Sequence, residues 1–267
     1  MYKFFIAVLL LGHSVIHAQS PLYSVANAHS HNDYEQDVPF RKAYEQGFGS
    51  IEADIFLRGE ALIVAHDTSE VKMNRTLDSL YLVPLQQCIE KNKGYVYADT
   101  TRKLILLIDI KTEARPTLDR LTLTLEKYPA LIHCKSLQVM ISGNRPAPEL
   151  FVTYPSFIMF DGVPDIDYPE AALAKVGMIS DNMRKHTRWN GTGLIPVPDK
   201  DKLDALIAKT HQLNKKLRLW NAPDNLNTWY TLIKLKVDLI NTDKIPELAA
   251  FLRQLPEKIY TTPLPGL

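Results

Sequence analysis

Residues 103–111 read Lys-Leu-Ile-Leu-Leu-Ile-Asp-Ile-Lys and form the most strand-like stretch of the 267-residue chain. The run is apolar at successive positions, as expected of a parallel strand that is covered on both faces. Two ionisable residues end it, Asp109 and Lys111, which are two positions apart and therefore share a face. The stretch predicts a buried strand with charged groups at its carboxyl end.

Comparable β-rich runs occur on both sides of this stretch, and most of the later ones alternate with helical patterns. The predicted strands cover residues 25–31, 50–57, 61–66, 137–142, 156–160, 177–180, 216–220 and 237–241, and the predicted helices cover residues 39–46, 116–127, 200–213, 226–235 and 245–255. If 61–66 is a hairpin partner of 50–57, eight strand positions remain. Alternating units of that number favour an α/β fold, a single-domain (β/α)8 TIM barrel, with a doubly wound open sheet as the alternative.

Composition restricts the class of protein. Hydrophobic residues make up 46% and charged residues 23% of the chain, and the formal net charge is +1. Such a chain can bury a core, which excludes disorder for most of its length, and it lacks the basic excess of a nucleic-acid-binding protein. Two cysteines, Cys88 and Cys134, are too few for a disulfide framework or a cysteine zinc site, and whether they pair is left open.

The first 18 residues have the pattern of a secretory signal peptide. Lys3 precedes an apolar run of about nine residues, and the small residue Ala18 ends the segment. The run is too short to span a bilayer, and an N-terminal anchor or a buried strand are the alternatives. We therefore predict export, periplasmic or secreted, with residues 1–18 removed, a barrel domain over residues 19–257 and a tail over residues 258–267.

Carboxylates fall on the predicted strands at positions that share a face. Glu52 and Asp54 are two residues apart in the second strand, and Asp109 lies in the stretch quoted above. Parallel strands of a barrel bring such groups together, where they repel each other unless a cation lies among them. Because hard oxygen ligands favour Mg²⁺ or Ca²⁺ over zinc, the pattern predicts one divalent cation. For Glu52 and Asp54 alone, a solvated edge or a salt-bridged pair is the more ordinary interpretation.

Histidines follow the same strand ends. His29 and His31 close the first strand, His66 closes the hairpin segment, and Asp243 follows the last strand. Imidazoles exchange protons near neutral pH, which suits them to general acid–base catalysis. Each histidine alone is more typical of a loop or a satisfied core position. The hypothesis of an active site depends on their combination at strand ends that a barrel brings together.

In this order, the residues resemble the phosphatidylinositol phospholipase C-like/glycerophosphodiester phosphodiesterase superfamily. The segments that carry the resemblance are His31, Gly47 to Glu52, Glu52-Ala53-Asp54, Val64 to Asp67, Asp109-Ile110-Lys111 and Asp238 to Asp243. Together they cover nearly the whole chain after the N-terminal segment. The opening His-Ser-His-Asn-Asp-Tyr, residues 29–34, is more similar to an uncharacterised branch that includes fungal altered inheritance of mitochondria proteins.

The resemblance implies a TIM-barrel phosphoric diester hydrolase. The residues that it assigns are the metal ligands Glu52, Asp54 and Asp109, the general base and acid His31 and His66, and Lys111, which neutralises phosphoryl charge. His29 is the second candidate for the first catalytic histidine. The implied cofactor is one divalent cation, Ca²⁺ or Mg²⁺. The implied substrate is a phospholipid-derived or glycerophosphodiester-like molecule, without nucleic acid as a partner and without stable membrane insertion.

The chain departs from the superfamily directly after His31. The glycerophosphodiesterase pattern has an arginine there that holds the phosphate, whereas this chain has Asn32. Arg145, which follows the predicted strand at 137–142, is a candidate replacement. Trp220, at the end of another strand, is a candidate for stacking on a head group. Strand-end capping and packing are the ordinary alternatives for both residues.

Other functions are compatible with these residues. A phosphomonoesterase would use the same cation, and a non-catalytic barrel would bind a phosphorylated or carbohydrate ligand. The pair of histidines argues against a binder, because binding alone does not need an acid and a base. A glycoside hydrolase is disfavoured because Glu52 and Asp54, two residues apart on one strand, are too close to flank a glycosidic bond.

Overall fold

A computed structural model describes residues 23–255 of the chain. The predicted signal peptide, residues 1–18, and the predicted tail, residues 258–267, lie outside the described residues. Within residues 23–255, no helix combines the length and the apolar character needed to cross a membrane. Cys88 and Cys134 are buried and free, so the pairing that the sequence left open does not occur.

The fold is a (β/α)8 barrel, as predicted. The strands are β1 (Ala28–Ser30), β2 (Ser50–Arg58), β3 (Ala61–Val64), β4 (Leu104–Ile110), β5 (Leu137–Gly143), β6 (Ile158–Gly162), β7 (Val176–Asn182), β8 (Lys216–Trp220) and β9 (Ile240–Thr242). All strands but β3 are parallel and follow the order β8-β7-β6-β5-β4-β2-β1-β9, and β3 extends β2 as an antiparallel hairpin partner. A parallel bridge between Arg218 and Leu239 joins β8 to β9, which closes the barrel.

Helices follow most of the parallel strands. They are α1 (Arg41–Gln46), α2 (Val83–Lys91), α3 (Ala114–Leu125), α4 (Pro129–Ile132), α5 (Glu170–Ala174), α6 (Val197–Gln212), α7 (Leu226–Leu235) and α8 (Ile245–Gln254). Five of these helices were predicted. They are α1, α3, α6, α7 and α8, which overlap the predicted ranges 39–46, 116–127, 200–213, 226–235 and 245–255. The prediction missed α2, α4 and α5. In α2, Leu85, Cys88 and Ile89 are buried at helical spacing.

The first strand is shorter than predicted. A 3-10 helix at Val25–Asn27 replaces its beginning, because the Ser24 side chain accepts a hydrogen bond from the Ala26 amide and caps the turn. Strand β1 then pairs with β2 over two residues and with β9 over three. His31 consequently lies just beyond the strand, at the rim of the barrel, whereas His29 is inside it.

Apolar side chains fill the barrel below the rim. They are Ile105, Leu107, Met140, Met178 and Leu239, which form a cluster separate from the main core between the strands and the helices. On β4, Asp109 continues the inward-facing row of Ile105 and Leu107, so the row changes from apolar to charged at the carboxyl end. The polar groups of the barrel interior therefore lie above a layer of packed apolar side chains.

Candidate functional site

A cavity of about 390 Å³ lies at the carboxyl ends of the strands. Its lining includes His31, Asn32, Glu52, His66, Asp109, Lys111, Arg145 and Trp220. These are eight of the nine site residues predicted from the sequence, and the ninth, Asp54, is buried and pairs with Lys111. A larger cavity of about 1010 Å³ is lined by residues that begin strands, such as Leu104, and by none of the nine. In barrels of this type the reactive end is the carboxyl end of the strands.

Three carboxylates converge on one side of the cavity. Asp54 and Asp109 are neighbours in the register of β2 and β4, and ligand atoms of these residues and of Glu52 lie within 4.8 Å of one another. Lys111 Nζ lies 2.9 Å from Asp54 Oδ2 and 3.0 Å from Asp109 Oδ1. Burial would lower the pKa of Lys111, but the Asp109 and Asp54 charges outweigh burial and raise it. The lysine is therefore a permanent cation at this site.

The donor set fits a hard divalent cation. Asp54 Oδ1 is buried and has no hydrogen-bond partner among residues 23–255. Burial, followed by the charges of Glu52 and Asp109, raises the pKa of Asp54 to about 7. A bound cation would satisfy the free oxygen and offset the repulsion among the three carboxylates. Oxygen ligands of this kind suit Mg²⁺ or Ca²⁺.

The Asp109 side chain packs closely against the end of β5, because β5 ends in a glycine. Gly143 has a φ of +70°, and a Cβ atom there would collide with Asp109 Oδ1 and with the Ile110 backbone. Ser142 Oγ donates to the other Asp109 oxygen at 2.7 Å. The end of β5 thus positions one of the three carboxylates.

Replacing Gly143 with alanine is expected to destabilise the protein by about 1–3 kcal/mol and to weaken cation binding. The substitution adds left-handed strain and pushes on Asp109. Gly59→Ala is the matched control, because Gly59 has a φ of +57° with open space around it. Urea unfolding measures the strain in both variants, and titration calorimetry with Mg²⁺ or Ca²⁺ measures the second effect. Equal cation affinity in the two variants would contradict the positioning role of Gly143.

His31 lies on the cavity and is paired with a carboxylate. Its Nδ1 atom is 2.8 Å from Asp243 Oδ1, at the end of β9. Burial acts to lower the pKa of His31, but the hydrogen bond to Asp243, with the Glu52 charge, raises it. The imidazole therefore has one nitrogen fixed by Asp243 and the other available to a ligand, as in other His–Asp pairs.

His29 has a different environment. It is fully buried, with Nδ1 2.7 Å from Ser50 Oγ and Nε2 2.9 Å from Glu52 Oε2 and 2.6 Å from Arg218 Nη1. Burial, followed by the Arg218 charge, lowers the pKa of His29 to about 4. Of the two histidines left open by the sequence, His31 lines the cavity and His29 supports Glu52 from within the barrel.

The remaining predicted residues lie around the same cavity. His66 is exposed, directly beyond β3, and its backbone N–H donates to Glu70 Oε2. Asn32 has a left-handed backbone with a φ of 43°, and its side-chain oxygen lies 2.9 Å from the Tyr34 hydroxyl, which also contacts Asp54 Oδ2 at 2.7 Å. Arg145 and Trp220 lie in the lining at the ends of β5 and β8.

Sequence reasoning missed four charged residues of this cavity: Asp161, Asp181, Lys185 and Arg218. Arg218 is only 4% exposed, and its Nη1 atom lies 3.2 Å from Glu52 Oε2. Burial would raise the pKa of Glu52, but Arg218, with His29, lowers it below its ordinary value. The alternation in β8, Lys-Leu-Arg-Leu-Trp, already placed Arg218 on the same face as Trp220. That alternation was the available signal.

The closed (β/α)8 barrel brings an acidic cluster, a lysine and two histidines together at the carboxyl ends of its strands. Residues 23–131 match the family model described as the AIM6-like phosphodiesterase domain. This segment runs from the start of the barrel to α4 and includes both histidines of the cavity and all three carboxylates. The resemblance predicted from the motifs is confirmed.

Two curated relatives and one solved structure extend this finding. "Altered inheritance of mitochondria protein 6" of Eremothecium gossypii is 24% identical over 284 residues, 85% of this chain and 69% of the relative. The protein of the same name from Kluyveromyces lactis is 30% identical over 171 residues, 49% of this chain and 41% of the relative. A glycerophosphodiester phosphodiesterase from Parabacteroides distasonis superposes with a TM-score of 0.56 at 14% identity, covering 86% of this chain and 98% of the other, which shows the fold alone.

The relatives contradict the localisation predicted from the first 18 residues. Their names refer to the inheritance of mitochondria and not to export. The prediction of a periplasmic or secreted protein is therefore wrong. One lysine and a short apolar run, residues 4–12, were insufficient to predict a destination.

Proposed function

We propose that this protein is a metal-dependent phosphodiesterase that hydrolyses a small phosphodiester by histidine acid–base catalysis. The observation that carries the proposal is the convergence of Glu52, Asp54 and Asp109 within 4.8 Å on the cavity that His31 also lines. Binding a phosphorylated ligand needs positive charge, but it does not need an imidazole paired with a carboxylate. The His31–Asp243 pair favours turnover over binding alone.

Each group has a role that follows from its position. Glu52, Asp54 and Asp109 would hold Mg²⁺ or Ca²⁺, which, when bound, supplies positive charge that stabilises the phosphoryl oxygens. Lys111 adds a second fixed positive charge next to the carboxylates, where negative charge grows in the transition state. Arg218 orients Glu52 and keeps it ionised.

The two histidines divide the proton transfers. His31, oriented by Asp243, removes a proton from the nucleophile, which is water or a neighbouring hydroxyl of the substrate. His66, on the loop after β3, donates a proton to the departing alkoxide. If the hydroxyl is the nucleophile, the first product is a cyclic phosphate.

The substrate class is a phospholipid-derived or glycerophosphodiester-like molecule. A cavity of about 390 Å³ has room for a small head group. Asn32 replaces an arginine at the phosphate, so we propose that Arg145 and Lys111 supply that charge. Trp220, exposed at the end of β8, offers a surface for stacking.

The test compares two chromogenic esters under controlled metal content. Hydrolysis of bis(p-nitrophenyl) phosphate and of p-nitrophenyl phosphate is measured with EDTA and with added Ca²⁺, Mg²⁺ or Mn²⁺. We expect metal-dependent cleavage of the diester in preference to the monoester. A preference for the monoester would identify a phosphomonoesterase. No cleavage of either ester, together with cation binding by calorimetry, would indicate a binding protein.

A further inference from the structure

Asp161 stands on the wall of the cavity formed by β6. Its neighbour Phe160 packs outward into the main core, stacked on Phe151 at 3.8 Å between ring centroids, so Asp161 faces the barrel interior. The register between β6 and β7 shifts between these two residues of β6. Such bulges re-aim side chains near functional sites. Asp161 lines the cavity next to this irregularity.

One oxygen of this carboxylate is unused. Asp161 is 2% exposed and lines the cavity, yet its Oδ1 atom has no hydrogen-bond partner in the part of the chain that the structure describes. Burial raises the pKa of Asp161 to about 6, although the charges of Arg218 and Arg145 and a hydrogen bond from the Ser180 side chain act to lower it. A buried carboxylate oxygen without a donor is costly, so a donor from outside the chain is the natural complement.

Asp181, on the neighbouring strand β7, is a useful comparison because its carboxylate is fully paired. It lines the same cavity and is also buried, but both of its oxygens are used, one 2.8 Å from Lys185 Nζ and the other 2.8 Å from His186 Nε2. Arg218 does not take this role for Asp161, because its hydrogen bonds go to Ser180, His29 and Glu52. Of these two neighbouring carboxylates, Asp161 alone has an oxygen without a partner among residues 23–255, and it lies apart from the proposed cation ligands.

The place of Asp161 suggests which part of a substrate meets it. In the barrel order, β5 and β4 separate β6 from β2, so Asp161 lies on a different wall of the cavity from Glu52 and Asp54. A phosphoryl group held at the carboxylate cluster would extend one of its ester groups toward β6. A carboxylate repels the phosphoryl oxygens and attracts hydrogen-bond donors, so it suits the ester's alcohol portion.

We propose that Asp161 is a specificity-determining residue whose Oδ1 atom accepts a hydrogen bond from a hydroxyl or ammonium group on the alcohol portion of the phosphodiester. The inference rests on the proposed function. It assigns the substrate to diesters with a polar, donor-bearing head group and disfavours those with a purely alkyl one. A site that must pair a buried acceptor rejects analogues without the donor strongly.

The experiment uses three ethyl phosphodiesters that differ in the second alcohol: ethylene glycol, ethanolamine or propanol. Hydrolysis is followed by ³¹P NMR with saturating cation. We expect the wild type to favour a donor-bearing diester over the propyl diester by at least about 10-fold in kcat/KM. Asp161→Ala should reduce that ratio to near one. Asp161→Asn, which keeps an acceptor oxygen without charge, should preserve a preference for the glycol ester and abolish one for the ethanolamine ester.

Asp181→Asn is the matched control and should leave the ratio between the diesters unchanged. Equal rates on all three diesters in the wild type, or a preference that survives Asp161→Ala and Asp161→Asn alike, would overturn the inference. If the wild type cleaves none of them, the proposed function fails separately. In that case calorimetry with 2-hydroxyethyl phosphate, phosphoethanolamine and propyl phosphate decides the role of Asp161. Tighter binding of a donor-bearing ligand that Asp161→Ala abolishes supports the inference, and equal binding refutes it.

Discussion

Replacing His31 with alanine is expected to lower kcat for a phosphodiester by about 10²- to 10⁴-fold, with cation binding retained. The imidazole lines the cavity, and its Nδ1 atom is held by Asp243 at 2.8 Å, so the other nitrogen is the available proton acceptor. His31 is not among the clustered carboxylates, and its loss removes no proposed cation ligand. Initial rates at saturating cation, with titration calorimetry of the same samples, separate the two effects.

His211→Ala is the matched control for this prediction. His211 forms a similar pair with Asp238, 2.8 Å from Nε2 to Oδ2, on the exposed part of α6 away from the cavity. The His211→Ala variant should retain wild-type activity. Full activity in His31→Ala would remove His31 from the mechanism and return His29 to consideration.

Replacing Asp243 provides a second test of His31 as the general base. Although burial favours the neutral imidazole, Asp243 raises the pKa of His31, and a general base must be unprotonated to act. Asp243→Asn should therefore lower the pKa of His31 and move the acidic limb of the kcat/KM profile to lower pH. The same variant should lower kcat, because the ring loses its orientation. An acidic limb that does not move would assign that limb to another group.

Much of the barrel could be predicted because its signals are local. The apolar run at 103–111 and the alternation of strands with helices reflect burial that each segment shows by itself. The short helix α5 and the 3-10 start before β1 escaped prediction, because capping at Ser24 and packing against neighbours decide them. Local pattern gives the type of element more reliably than its ends.

The candidate site also has residues that local sequence predicts and residues that depend on distant contacts. Glu52, Asp54 and Asp109 could be identified because carboxylates inside apolar strands are costly without a partner. The difference between His29 and His31 could not, since it depends on where β1 ends and on Arg218, which is 189 residues away in sequence from His29. Asp161 escaped as well, because nothing in a strand sequence shows that one carboxylate oxygen lacks a donor.

The second large effect is expected for Asp54→Asn, which should weaken cation binding by more than about 100-fold and remove metal-dependent activity. Losing a residue that only orients a ligand already costs about 10- to 100-fold, so losing a ligand should cost more. Asp54 is 1% exposed, its Oδ1 atom has no hydrogen-bond partner among residues 23–255, and its carboxylate clusters with those of Glu52 and Asp109. Calorimetry and activity with Ca²⁺, Mg²⁺ and Mn²⁺ test this directly, with the exposed Asp201→Asn as control.

Asp54→Asn should weaken cation binding without lowering the stability of the metal-free protein. This difference separates the loss of a ligand from damage to the fold. The pKa of Asp54 in the folded protein, about 7, lies above its ordinary value of 3.8, so the folded state binds the proton more tightly than the unfolded state. The free energy of unfolding of the metal-free wild type should therefore fall as pH rises from about 4 to 7. Asp54→Asn should lack this part of the decline and match or exceed the wild-type melting temperature at pH 8 without metal. Added cation should stabilise the wild type and not the variant. A variant that unfolds early without metal, or that cation still stabilises as it does the wild type, would show that Asp54 supports the barrel and does not hold the ion.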